Sequence, residues 1–163
     1  MNAIELLKKQ HREVEELFTR YEAAGEKAHK TKQELFEKIA DRLAGHASIE
    51  ENTFYPGIKA ENTQEILLES LEEHLAVKRV IADLLDLDPT DETYDAKMKV
   101  LKDLVDHHVK EEEKTLFPKV EKIVDEKKLE QLGTEMQRQY QELEKAEPRF
   151  EVPSQTATAP PLG

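Results

Sequence analysis

The chain has 163 residues, a formal net charge of −12 and no cysteine. Disulfides, thiolate metal ligands, Cys-bound iron–sulfur clusters and thiol catalysis are therefore excluded, and the acidic balance disfavours nonspecific attraction to nucleic acid or anionic lipid. Charged residues make up 37% and hydrophobic residues another 37%, with 5 Gly and no Trp, a mixture typical of helices coated with long charged side chains.

The N-terminus, Met1-Asn2-Ala3-Ile4-Glu5, lacks the apolar run of a signal peptide. No apolar stretch approaches the ~18 residues of a membrane span, so a cytoplasmic protein without a membrane partner is expected. In the first segment Ile4, Leu7, His11, Val14, Phe18 and Tyr21 recur at spacings of three and four, on one helical face, until Gly25 and the polar stretch after it. The second aligns Leu35, Ile39, Leu43, His46, Glu50 and Thr53, with Pro56-Gly57 as its stop. The third runs from about Thr63 to Asp86 through Leu67, Leu71, His74, Val77, Ile81 and Leu84. A turn at Asp88-Pro89-Thr90-Asp91 leads into the fourth, which aligns Leu101, Val105, His108, Glu112 and Thr115 until Pro118 bends or ends it.

From Glu126 to Glu144 a sparser stripe, Leu129, Leu132, Met136, Tyr140 and Leu143, predicts a fifth helix on the outside of the bundle. The last residues, rich in Pro, Thr and Ala, predict a disordered tail over 149–163, leaving one domain over 1–148. Short connections and the absence of period-two patterns predict an all-α, up-down-up-down four-helix bundle with an appended fifth helix.

The chain repeats itself once. His46-Ala-Ser-Ile-Glu50-Glu51-Asn-Thr-Phe-Tyr-Pro56 falls in register with His108-Val-Lys-Glu-Glu112-Glu113-Lys-Thr-Leu-Phe-Pro118, and His11 corresponds to His74. Each copy is a helical hairpin contributing one His from its first helix and a His-x-x-x-Glu pair from its second. Residues at i and i+4 share a helical face, so a His and a Glu so placed can bind one ion together. A lone His on such a face is more often a hydrogen-bonded core residue, and a lone His–Glu pair a surface pair. Here four His and two Glu stand where the periodicity asks for apolar residues, and unpaired burial of each would cost several kcal/mol. Two metal ions held by imidazoles, with both carboxylates bridging, would answer all six at once.

At these residues the sequence resembles the hemerythrin-like, or HHE, family. The resemblance covers about residues 3 to 145 and rests on Gln10-His11, the His46 and His108 stretches, and Glu73-His74. It implies an oxo- or hydroxo-bridged pair of iron ions, with Glu50 and Glu112 bridging and His11, His46, His74 and His108 as terminal ligands. It also implies a small oxidant as partner: dioxygen, peroxide or nitric oxide. The sequence departs from the family's oxygen carriers at His74-Leu-Ala-Val-Lys78, where they have His-x-x-x-His. Lys78 is expected to pair with Glu15 or a bridging carboxylate.

His107 points ~100° away from His108 and is expected at the surface or beside the site. Glu51 and Glu113, which follow the ligands, are expected either to hydrogen-bond behind them or, more often, to be plain surface charge. Tyr55 falls one residue too far to face the site squarely, but could still supply a phenol near the metals or cap the bundle end with Phe54. Besides a redox-active di-iron protein, the residues leave open a sensing or iron-handling module, a reversible oxygen-binding protein, and a structural dinuclear zinc site.

Overall fold

The computed structural model describes residues 1–163. The chain order is α1 (Ala3–Ala23), α2 (His29–Ile49), a π-helical turn (Glu50–Phe54), α3 (Tyr55–Ile58), α4 (Gln64–Leu85), α5 (Tyr94–Glu111), a second π-helical turn (Glu112–Leu116), α6 (Phe117–Ile123), α7 (Glu126–Lys145) and a 3₁₀ segment (Pro148–Gln155). No helix is long and apolar enough to cross a membrane. Helices α1, α2, α4 and α5 form the expected up-down-up-down bundle, and α7 lies outside it against α1 and α2.

Local chemistry fixes the ends. Asn2 caps α1 by accepting the Glu5 N–H at 2.9 Å, while the Glu5 carboxylate reaches back to the Asn2 N–H, a reciprocal capping box. Asp125 caps α7 by accepting the Lys128 N–H at 2.8 Å. The α7 helix passes so close to the N-terminus that a Cβ on Gly133 would sit 2.5 Å from the Met1 carbonyl oxygen, which makes glycine the residue that permits this docking.

Pro56, expected as a stop, does not end its helix, and Pro118, expected to bend or end its own, lets it continue. Proline cannot donate to the helix ladder and crowds the carbonyl four residues back. The chain answers by widening one turn just before each: the Tyr55 N–H reaches the Glu50 carbonyl and the Phe117 N–H the Glu112 carbonyl, five residues back. Helix then resumes, through Ile58 in the first copy and Ile123 in the second.

The core divides into two apolar clusters. One gathers Leu7, Ile49, Phe54, Leu67, Phe117 and Met136; the other gathers Phe18, Leu35, Ile39, Ile81, Met98 and Leu101. On α1 the first cluster ends at Leu7 and the second begins at Val14, so His11 marks a polar layer between them.

The expected disordered tail is corrected by the structure. After Glu147 turns the chain in the left-handed region (φ 50°), residues 148–155 coil against α2 and α4, and Val152 is 1% exposed in the second core cluster. Arg149 donates to Asp41 at 2.7 Å and to Glu37 at 3.0 Å, and Arg79 holds the Thr156 and Ala157 carbonyls. Composition missed this because one buried Val and one clamped Arg outweigh a stretch of Pro, Ser and Thr.

Candidate metal centre

All six residues singled out in the sequence meet in the polar layer, and each is buried. His11 comes from α1, His46 from α2, His74 from α4 and His108 from α5, while Glu50 and Glu112 open the two π-helical turns. The four imidazoles turn Nε2 inward. His11 Nε2 lies 3.1 Å from Glu112 Oε1, His74 Nε2 3.0 Å from Glu50 Oε1, and His46 Nε2 3.3 Å from the same oxygen. His108 Nε2 is 3.5 Å from Glu112 Oε1, 3.7 Å from Glu50 Oε1 and 3.2 Å from His74 Nε2. Their donor atoms fall into two compact sets, His11–His46–Glu112 and Glu50–His74–His108. Each set takes two imidazoles from one hairpin and its carboxylate from the other.

Each Nδ1 is tied outward. His11 Nδ1 meets Glu113 at 2.6 Å, His74 Nδ1 meets Glu51 at 2.7 Å, His108 Nδ1 meets Glu73 at 2.7 Å, and His46 Nδ1 meets the Gln10 side-chain oxygen at 2.7 Å. A carboxylate only accepts, so the proton belongs on Nδ1 and a neutral ring would turn its Nε2 lone pair inward. Outer partners of this kind fix tautomer and ring orientation at metal-binding histidines. Two buried atoms of the ring, His46 Nε2 and Glu50 Oε2, make no hydrogen bond. Such orphaned polar atoms are costly in a packed interior, and a cation between the imidazoles and carboxylates would give them a partner. The donor set therefore fits a metal pair.

Without a cation, burial alone would lower the imidazole pKa values, but the carboxylates reverse this. His11 is raised chiefly by Glu112, His74 by Glu50 and Glu51, and His108 well above its ordinary value by Glu112. Burial likewise works against the Glu112 carboxylate, yet His108, Glu50 and His11 hold its pKa well below the usual range.

A sequence model of the hemerythrin HHE cation binding domain matches residues 2–120. The chain belongs to this family. Relatives of two kinds accompany it. A protein from Nostoc sp. described as a DNA nickase is 27% identical over 135 residues, which are 83% of this chain and 38% of that protein. The chain thus spans under two fifths of the length of that relative. The crystal structure of a hemerythrin HHE cation binding domain-containing protein from Mycobacterium kansasii superimposes with a TM-score of 0.78 at 23% identity, over 90% of this chain and 89% of that one. That likeness shows the fold.

Around this candidate centre the outer side chains take definite places. Of the two expectations, hydrogen bonding behind the ligands is the one the structure shows for Glu51 and Glu113. They orient His74 and His11, and each is gripped by a cation: Lys78 donates to both oxygens of Glu51 at 3.0 and 2.9 Å, and Arg12 pairs with Glu113. Lys78 therefore pairs with neither Glu15 nor a bridging carboxylate. Gln10 and Glu73 each precede a site histidine in the repeat, which was the available signal. His107 is exposed and lies 3.2 Å from Glu73.

Tyr55 brings its phenol to the site, facing it more squarely than an α-helical period allows. The π-helical turn adds one residue, so position i+5 lands on the face that i+4 would occupy in an α-helix. Its hydroxyl donates to Glu112 Oε2 at 2.8 Å and lies 3.3 Å from His74 Nε2 and 3.5 Å from His108 Nε2. Burial, with the charges of Glu112 and Glu50, pushes the phenol well above its ordinary pKa, so it stays protonated. Beside the four imidazoles lies a cavity of about 40 Å³ whose other walls are mainly apolar, among them Val14, Val77, Ile81, Val105 and Val152.

Proposed function

We propose that this chain is a non-haem di-iron protein that binds or reduces a small oxidant, dioxygen, peroxide or nitric oxide, at His11, His46, Glu50, His74, His108 and Glu112. The observation that carries this reading is the set of four imidazoles with Nε2 inward and Nδ1 anchored, facing two buried carboxylates that each approach histidines of both hairpins. Glu50 and Glu112 would supply the two carboxylates that hold the iron pair. When bound, an iron pair supplies electrons and open coordination positions for a small ligand.

The rest falls to the protein. Gln10, Glu51, Glu73 and Glu113 hold the rings in register. Tyr55 keeps a proton at its hydroxyl oxygen beside Glu112. The apolar cavity admits a small neutral molecule and disfavours charged competitors. Lys78, engaged by Glu51, stands where a fifth histidine would be needed for a carrier, which favours a reactive centre over reversible oxygen transport. The activity named for the Nostoc relative is not carried over, because the net charge of −12 opposes a phosphate backbone.

The test is metal analysis after iron reconstitution, with absorption spectra before and after peroxide or nitric oxide. The expected result is two iron ions per chain and near-ultraviolet bands that respond to the oxidant. One ion per chain at saturation, or none, overturns the reading.

A further inference from the structure

Residues 148–157 lie outside the stretch matched by the family, which ends at 120, yet they complete a wall of the cavity at the candidate centre. The segment bridges α2 and α4. On the α2 side the buried Arg149 guanidinium spans Asp41 and Glu37, and its backbone N–H also donates to Asp41 at 3.0 Å. On the α4 side Arg79 donates to the carbonyls of Thr156 at 3.0 Å and Ala157 at 3.1 Å. Between these two anchors Val152, 1% exposed, turns into the cavity that His11, His46, His74 and His108 also line.

We infer that this strap is the size filter of the site, and that Val152 sets its limit: oxidants of two heavy atoms reach the imidazole side, and branched alkyl hydroperoxides do not. The inference rests on the di-iron reading for the identity of the ligand, but not for the wall itself. Three observations support it. The cavity measures about 40 Å³, room for about three water-sized spheres at roughly 10–15 Å³ each, so a diatomic or hydrogen peroxide fits and the six heavy atoms of tert-butyl hydroperoxide do not. Val14, Val77, Ile81, Val105 and Val109 stand beside Val152 in its walls, and β-branched side chains have restricted rotamers and yield little space. The strap is clamped on both sides, so Val152 is held in place by charged groups rather than by its own small contact area.

The experiment uses the full-length protein, iron-loaded and reduced, mixed rapidly with hydrogen peroxide or tert-butyl hydroperoxide while the near-ultraviolet bands are followed. Each peroxide takes two electrons and two protons, giving two waters in one case and water with tert-butanol in the other, the electrons coming from the reduced iron pair. The parent should discriminate by on the order of a hundredfold, the selectivity range that pocket fit alone supplies. Val152→Ala should raise the tert-butyl hydroperoxide rate at least tenfold while the hydrogen peroxide rate moves less than threefold, and Val152→Leu should slow both. A second readout needs no iron: in the metal-free protein, xenon uptake followed by ¹²⁹Xe NMR should rise in Val152→Ala and fall in Val152→Leu. Unchanged discrimination together with unchanged xenon uptake overturns the filter. If neither peroxide oxidises the loaded parent, the di-iron reading fails, and xenon uptake alone then decides whether Val152 bounds the cavity.

Discussion

The two hairpins, residues 3–58 and 64–123, carry their site residues in the same register but surround them differently. His11 matches His74, His46 matches His108, and Glu50 matches Glu112. The outer carboxylates match as well, and they cross: Glu51 of the first hairpin holds His74 of the second, and Glu113 of the second holds His11 of the first. Symmetry breaks at two places that touch the site directly. His46 is held by the neutral amide of Gln10, whereas His108 is held by the carboxylate of Glu73. Tyr55 gives a hydroxyl to Glu112 Oε2, whereas its counterpart Phe117 has none to give, and Glu50 Oε2 is the oxygen left without a hydrogen bond. Duplication thus explains the ligand positions, while later divergence makes the two halves of the site chemically unequal. The set Glu50–His74–His108 sits under the phenol and has carboxylate support on both rings. The set His11–His46–Glu112 has Phe117 stacked on His11 at 6.0 Å and one amide-supported ring.

The largest effect should come from the carboxylates, whose Oε1 atoms the two halves use alike. Glu50 Oε1 lies 3.0–3.7 Å from three histidine Nε2 atoms of both hairpins, and Glu112 Oε1 lies 3.1–4.0 Å from another such trio. If the proposed di-iron reading holds, Glu50→Ala and Glu112→Ala should each bring the bound iron from two ions per chain to fewer than one, measured by metal analysis of the purified variants. If one variant keeps an ion and the other keeps none, the halves are unequal at the ligands too.

Metal removal comes next. The metal-free protein must keep carboxylates and imidazoles packed between two apolar clusters, so any ion that binds only the folded state stabilises it by mass action, about 4 kcal/mol at a thousandfold excess over Kd. For a domain of this size that corresponds to a rise in Tm of roughly 10 °C. Calorimetry of iron-loaded and chelator-treated protein should show the gap; equal melting temperatures would mean that the six residues hold no ion.

The contrast between Gln10 and Glu73 should matter less. Outer partners of metal-binding histidines are worth about 10- to 100-fold in affinity. Glu73→Gln should weaken metal binding within that range, and Gln10→Glu should strengthen it by bringing His46 under a carboxylate. The pH dependence has a definite sign. His11, His74 and His108 have raised pKa values in the metal-free protein, so their contribution to its stability is complete below the ordinary histidine value near 6.5 and is lost as pH rises through the raised values. Metal must displace the same protons, so its affinity should climb over the window in which the metal-free protein weakens. Titrations at a series of pH values with chelator competition would check this, and an affinity flat above neutrality would contradict the raised values.

How much of this was legible in the sequence follows from the period of its elements. The bundle and all six inward-facing residues came from a 3.6-residue pattern interrupted by polar residues, and that signal is strong because burial makes each interruption costly. An α-helical period sets Tyr55 one residue off the site because it misses a turn whose hydrogen bond spans five residues; Pro56 and Pro118, in register after both glutamates, are the trace of that widened turn. Glu51 and Glu113 stay open between ligand support and surface charge in the sequence, because a glutamate beside another glutamate has no periodic signature. The strap was invisible for a different reason. Val152 and Arg149 matter through partners more than a hundred positions away, Asp41 and Glu37 among them, and composition alone carries no such long-range information.

The smallest effect belongs to the hydroxyl that separates Tyr55 from Phe117, and it sharpens the comparison most. Tyr55→Phe would make the two halves alike by subtraction, leaving Glu112 Oε2 without its 2.8 Å donor. Loss of one hydrogen bond to a buried carboxylate costs about 1.5–3 kcal/mol in the worst case, and partial compensation by the histidines should bring the observed loss near ~1 kcal/mol, read from denaturant midpoints of the metal-free protein at constant m. Phe117→Tyr would make the halves alike by addition. Its new hydroxyl is placed by the repeat toward Glu50 Oε2, the oxygen that has no hydrogen bond, so it should recover a similar amount provided the fully buried ring position accepts one more oxygen. The double variant Tyr55→Phe with Phe117→Tyr should then match the parent in stability but move the phenol from the second hairpin's histidines to the first's. If Phe117→Tyr destabilises while Tyr55→Phe does not, the inequality of the two halves lies in the packing around His11 rather than in a missing donor, and the hydroxyl is incidental to how the site is held.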